Sequence, residues 1–210
     1  FIGREIMSSL SFYELKRKAL KKYFGRMNEK QKEAVFAVNG PVLVLAGAGS
    51  GKTTVIVNRI ANMINFGDAY YDDSYQGSAE DCRFLENYIN GSDADLEQLR
   101  ETIAVRPIKP WNILAITFTN KAAGELKERL RTLLGEDGDN INAATFHSAC
   151  VRILRREIDK LGYQSSFTIY DSDDSQRVVK ACMNELGVSE KQFPPRSVLS
   201  EIGFAKDRLM

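Results

Sequence analysis

Apolar and polar positions alternate along the chain with two different periods. From Ser11 to Arg26, Leu15, Ala19, Leu20 and Phe24 recur at helical spacing, while Lys16, Arg17, Lys18, Lys21, Lys22 and Arg26 occupy the other positions. This predicts a basic amphipathic helix, solvated on one face. Asn28 to Val38 predicts a second helix, N-capped by Asn28 and ended by Gly40-Pro41. The run VLVLA, Val42 to Ala46, is apolar throughout and rich in β-formers, which predicts a strand buried on both faces of a parallel sheet. A glycine-rich stretch follows, and Val55, Ile56, Ile60, Met63 and Ile64 then repeat at helical spacing, so the order is strand, loop, helix.

Residues 67–110 differ in character, being acidic, rich in tyrosine and broken by Gly77, Gly91, Pro107 and Pro110. They read as an insertion, in which Leu85 to Ile89 and Leu96 to Ile103 each suit a helix. ILAITF, Ile113 to Phe118, predicts a second buried strand, and Ala122, Ala123, Leu126, Leu130 and Leu133 predict the helix after it. A third strand, Ile141 to Phe146, leads into a helix from Ser148 to Leu161. Alternating strands and helices imply an α/β domain with a largely parallel sheet. Beyond Gly162 the pattern is helical only, at Ser172 to Leu186 and Pro195 to Leu209, which reads as the beginning of an all-helical unit that stops early.

Composition narrows the class. The chain has 210 residues, 43% apolar and 27% charged, which excludes disordered and fibrous classes and allows one large domain or one domain plus part of another. The net charge of +1 carries no message, but residues 67–101 hold ten acids against Arg83 and Arg100, leaving the remainder basic and compatible with a nucleic-acid surface. Cys82, Cys150 and Cys182 are widely spaced without a CxxC, which speaks against a disulfide framework or zinc site and for a reducing, cytoplasmic setting. No apolar run approaches the roughly 20 residues of a membrane span, and no signal-peptide core is present. The chain opens on Phe1, which leaves open whether residues 1–6 are native.

The chemistry concentrates in AGAGSGKTT, Ala46 to Thr54. A loop entered from a buried strand and left as a helix N-terminus aims backbone N–H groups and a positive dipole end at one spot, which suits a phosphate. Lys52 adds a mobile charge for the outer phosphates, and the Thr53 hydroxyl can ligate Mg²⁺. The loop departs from the GxxxxGK[ST] pattern only in having Ala46 for its first glycine. Hydrolysis also needs an acid at the end of a neighbouring strand. The strands ending at Phe118 and Phe146 offer none, and in FTIYDSDD, Phe167 to Asp174, Asp171 suits a helix N-cap better than a metal ligand.

Phe118, Thr119 and Asn120 lie at the C-terminal edge of a strand, where open α/β sheets bind ligands. Phe118 fits a stacking platform and a core position equally well. Thr145, Phe146 and His147 repeat the arrangement, and no triad or metal constellation accompanies the sole histidine.

In this order, the segments MNEKQKEAV, AGAGSGKT, ITFTNKAAGELKERL and TFHS resemble the UvrD/PcrA/Rep-like superfamily 1A helicases from about Met27 onward, the acidic insertion excepted. The resemblance implies an α/β RecA-like P-loop NTPase subdomain over 27–165, a basic extension over 1–26, and the start of a helical 1B subdomain over 166–210. It implies an ATP-dependent 3′–5′ DNA helicase or translocase of repair or replication, acting on single strands or single/double-strand junctions and partnered by a second, C-terminal RecA-like domain. Gln31 would read the adenine edge. Gly47, Ala48, Gly49, Ser50 and Gly51 would cradle phosphates with Lys52 and Thr53, the latter on Mg²⁺. Phe118, Thr119, Asn120, Thr145, Phe146 and His147 would line the DNA track. Thr54 stands where an arginine often stacks near the base, which puts that contact in doubt. The expectation is a stretch that binds ATP and DNA weakly without unwinding. An AddA/RecB-type helicase–nuclease subunit and a non-hydrolysing nucleotide-binding module remain open, whereas a GTPase would need Asp in place of Ala123 after Asn120-Lys121.

Overall fold

Local signals place most helices where the periodicity puts them. The computed structural model describes residues 10–47, 49–93 and 95–210, so Ala48 and the first six residues lie outside the described residues. Helix α1 (Phe12–Tyr23) starts at Ser11, whose side chain accepts from Glu14 N–H while Glu14 reaches back to the Ser11 backbone. The same reciprocal cap, built by Asn28 and Gln31, opens α2 (Glu29–Phe36). Helix α3 (Lys52–Asn65) follows the glycine-rich loop. The acidic segment forms α4 (Ala79–Asn90) and α5 (Leu96–Ile103). Strand β1 (Leu114–Thr117), α6 (Asn120–Leu134), the short α7 (Glu136–Asp139), β2 (Asn142–Thr145) and α8 (Phe146–Glu157) complete the α/β pattern, and α9 (Ser172–Glu185) and α10 (Pro195–Asp207) follow. Among the described residues no helix is long and apolar enough to cross a membrane.

The α/β class holds, with a small sheet. β1 and β2 pair in parallel, Leu114 opposite Asn142 through Thr117 opposite Thr145. Two sequence expectations are corrected. Val42 to Ala46 forms no strand and is not buried: Leu43 is 83% and Leu45 87% exposed. A strand exists only through hydrogen bonds to a neighbour, and among the described residues none pairs with this run. β1 is also not buried on both faces. Ile113 and Ala115 meet the core, whereas Leu114 and Ile116 are exposed.

The chain divides into two compact units, Phe1–Cys150 and Val151–Met210. The first holds two apolar cores. One gathers α1, α2, α4 and α5 around Phe12, Leu15, Leu20, Phe24, Phe36, Phe66, Leu85 and Leu99. The other joins Val57, Ile60 and Ile64 of α3 to Ile113, Leu126, Leu130, Ile141 and Ala143. Full burial of each such side chain is worth about 1.5–3 kcal/mol. In the second unit α9 packs on α10, Met183 is buried, and Arg155 lies over the Phe167 ring at 4.1 Å.

The basic helix and the acidic segment are partners. Lys16, only 1% exposed, donates to Asp72 O at 2.7 Å, and Lys22 donates to Tyr88 O. The neck of the segment is closed by a Gly67–Val105 bridge and by Arg106 on Asp68 at 2.6 Å.

Two outcomes follow from this packing. A Cβ at Gly77, whose φ is +71°, would lie 2.2 Å from the Phe12 ring. Gly77→Ala therefore costs about 1–3 kcal/mol, measured as a lower denaturant midpoint. Burial pushes the Lys16 pKa below its ordinary 10.5, against the pull of Asp72, Asp73 and Asp68. The unfolded chain thus holds this proton to higher pH than the folded one, so stability rises with pH through the window between the two values. Lys16→Met loses that alkaline rise in denaturant titrations run at neutral and alkaline pH.

Candidate nucleotide and nucleic-acid site

The phosphate-type loop is finished by its own backbone. Gly51, the N-cap of α3, has φ +84°, a left-handed conformation that glycine adopts without steric cost, and no side chain caps the helix. The first-turn N–H groups of α3 therefore lack a side-chain acceptor, and no acid sits in that turn. Such an end favours an anion through its donors and its dipole. A Cβ at Gly47 or Gly49 would meet nothing within 4 Å, so the approach to these backbone positions is open.

Within the loop, polar groups satisfy one another. Lys52 Nζ donates to Gly47 O at 2.7 Å and to Ala46 O at 3.3 Å. Ser50 Oγ also donates to Gly47 O, at 2.7 Å. Gln31 Nε2 donates to Ser50 O at 3.1 Å. Thr53 is half-buried and Thr54 exposed, both in the first turn of α3. The donor set fits a nucleoside triphosphate: helix amides with no side-chain cap, a lysine on a mobile stem and a threonine hydroxyl suited to Mg²⁺. Seating phosphates requires Lys52 to exchange carbonyl acceptors for phosphate oxygens, which binds the same charge to a stronger acceptor.

The second group lies at the sheet edge. Because Thr117 stands opposite Thr145 in a parallel pair, Phe118-Thr119-Asn120 and Phe146-His147-Ser148 leave the sheet side by side. Phe118 is 97% exposed, which resolves its two sequence readings in favour of a surface position. Thr119 caps α6 by accepting from Ala122 N–H at 3.1 Å, and Asn120 opens that helix. Phe146 is exposed and lies edge-on to the His147 ring at 6.2 Å. Thr145 is buried, and its hydroxyl donates to Ser148 Oγ at 2.8 Å while accepting from Ser148 N–H. Its contribution at this edge is to hold the turn into α8.

Asp171 is the N-cap of α9. Its carboxylate accepts from Asp173 N–H at 2.9 Å and Asp174 N–H at 2.8 Å, and Asp174 reaches back to the Asp171 backbone.

One element went unread in the sequence. A cleft of about 1170 Å³ opens between the end of α1, α3 and α6, with Arg26, Thr54, Asn58, Glu125, Glu128 and Arg129 on its walls. The apolar periodicity marks the buried faces of these helices and gives no signal for a gap between their polar ones.

Comparison with known proteins bears on both groups. Residues 27–72 and 96–210 match the UvrD/REP helicase N-terminal domain. The chain is 40% identical over 183 residues, 87% of its length, to the ATP-dependent DNA helicase PcrA of Bacillus subtilis. It is 37% identical over the same share to the PcrA of Staphylococcus aureus and 38% to that of Staphylococcus epidermidis. The matched stretch covers 20% of each of these relatives. Residues 73–95 and those before Met27 lie outside the domain match.

Because Asp171 caps α9, Asp171→Ala costs about 0.5–2 kcal/mol of stability. Asp171→Asn, which retains the acceptor, costs little, and denaturant titration of the two variants measures the difference.

Proposed function

The chain belongs to the UvrD/REP helicase family, and from that premise we propose that it is the nucleotide-binding N-terminal part of an ATP-dependent DNA helicase. In this reading the loop at Gly47, Ala48, Gly49, Ser50 and Gly51 and the α3 N-terminus bind the phosphates of ATP, with Lys52 on the outer phosphates and Gln31 and Thr54 toward the base. A Mg²⁺ ion held at Thr53 neutralises phosphate charge. Phe118, Thr119, Asn120, Phe146 and His147 form the surface that meets single-stranded DNA or a junction, with Thr145 fixing the turn beneath them. The direction of travel is 3′ to 5′, the setting is the cytoplasm, and a second RecA-like domain supplies the rest of the catalytic apparatus. The domain reading is 27–165 for the RecA-like part and 166–210 for the start of the helical 1B part.

The observation that carries this reading is the parallel register of β1 and β2, which brings an almost fully exposed phenylalanine and a phenylalanine–histidine pair to one sheet edge. A soluble domain gains nothing in stability from a phenylalanine 97% in water. An aromatic face there offers a base a stacking partner, worth about 1–3 kcal/mol per base.

By itself this stretch binds nucleotide without unwinding. Lys52 and the helix dipole supply ground-state attraction, but an arginine that meets charge developing in the transition state is worth about 10³–10⁵ in rate, and its supply is assigned here to the second domain.

Phe118→Ala accordingly weakens binding of an oligo-dT strand by about 5- to 150-fold, the equivalent of that stacking energy. Its thermal unfolding stays unchanged because the ring is outside the core. Fluorescence anisotropy and a melting curve on the same samples measure both, and unchanged oligo-dT affinity contradicts the assignment of this edge to DNA.

A further inference from the structure

Gln31 touches the phosphate loop as well as its own helix. Its Oε1 accepts from Asn28 N–H at 3.1 Å, closing the α2 capping box, while Nε2 donates to Ser50 O at 3.1 Å. α2 is a firm base for this reach. Val35 and Phe36 are buried, Arg59 of α3 donates to Ala34 O at 2.6 Å, and Asn62 donates to Val35 O at 3.3 Å. The side chain thus spans from a capped, anchored helix to an exposed loop.

The contact acts on one peptide plane. Ser50 C=O and Gly51 N–H belong to the same planar trans unit and point in opposite directions. A donor that holds the Ser50 oxygen therefore fixes the direction of the Gly51 N–H, one of the donors at the α3 N-terminus. The fit is tight, since a Cβ at Gly51 would lie 3.0 Å from Gln31 Nε2. A primary amide carries two N–H donors and two acceptor lone pairs. One of each is used here, so one of each remains for a base edge.

We infer that Gln31 is a positioning residue that sets the affinity of the loop for phosphate itself, through the Ser50–Gly51 peptide, whatever base the nucleotide carries. The inference rests on the nucleotide-binding reading above and extends it from base recognition to loop order. It ties the two ends of the ligand together, because the amide that meets the base edge also orients a phosphate donor.

The test separates base from phosphate. Mg²⁺–ATP and Mg²⁺–tripolyphosphate, which has no base, are each titrated by calorimetry into the wild-type chain, Gln31→Met and Asn28→Ala. Asn28→Ala breaks the α2 cap but retains the bond from Gln31 to Ser50. Gln31→Met is expected to weaken tripolyphosphate by about 3- to 10-fold, as for loss of one hydrogen bond, and ATP by at least that factor, because ATP loses the base contact as well. Asn28→Ala is expected to lower the melting temperature with little change in either affinity. Without ligand, the Gly51 amide resonance is expected to move in the ¹⁵N–¹H spectrum of Gln31→Met relative to wild type. A fall for ATP with tripolyphosphate unchanged makes Gln31 a base reader alone and overturns the inference. So does an equal fall in Asn28→Ala, which assigns the effect to the helix cap, or an unmoved Gly51 amide resonance. A wild-type chain that takes ATP but no tripolyphosphate overturns it too, because the loop then has no phosphate affinity of its own to set. Failure to bind either ligand sinks the nucleotide reading itself, and this inference with it.

Discussion

Everything proposed for this chain depends on α3 being held on two sides. Val55 enters the core made by α1, α2, α4 and α5, while Val57, Ile60 and Ile64, on another face of the same helix, enter the core shared with β1, β2 and α6. Neither core can shift without moving the helix. Arg59 and Asn62 add hydrogen bonds to carbonyls of α2, and Asn62 reaches Gly67 O as well, at 3.4 Å. A helix fixed along its length presents its first-turn amides at a fixed place, so the exposed loop before it can stay adaptable. This division of labour suits the ligand capture proposed above, because segments that meet ligands are drawn from the low-stability end of a structure.

The features legible in the sequence were those set by neighbours along the chain. Asn28 and Asp171 announced caps because an N-cap needs only its own next three residues. The helices of the acidic segment showed in the spacing of Leu85 and Ile89 and of Leu96 to Ile103. The turn through Gly51 into α3 was legible for the same reason, its residues being consecutive. Val42 to Ala46 was misread because its composition records a preference for a buried strand, whereas strand formation needs a hydrogen-bonding neighbour. Thr145 was named through the resemblance as part of a DNA track, and only the turn into α8 reveals that its hydroxyl bonds Ser148. The burial of Lys16 contradicted a helix pattern that put every lysine in solvent, because the acidic segment, far along the chain, covers it.

That covering joins two parts of the chain that the family domain does not match. Residues before Met27 and residues 73–95 fall outside the match, yet α1 and α4 pack face to face, with Phe12 edge-on to Tyr75 at 5.3 Å. The acidic segment therefore has a structural partner, and much of its charge balance is internal: Lys16 lies among Asp68, Asp72 and Asp73, and Arg106 pairs with Asp68. An acidic surface is poorly suited to DNA, so this segment adds nothing to the surface proposed for DNA at Phe118 and Phe146. The matched core carries the proposed chemistry, and the added pair of segments buttresses the side of α3 that faces α2.

The central claim is that the loop before α3 is a working nucleotide site. The direct measurement is an equilibrium titration of a fluorescent ATP analogue with Mg²⁺ into this chain and its Lys52→Ala variant, with phosphate release followed in the same samples. Saturable binding that is lost with Lys52 and is accompanied by little release is the expected result. Binding that survives Lys52→Ala, or no binding by the wild-type chain, would contradict the account.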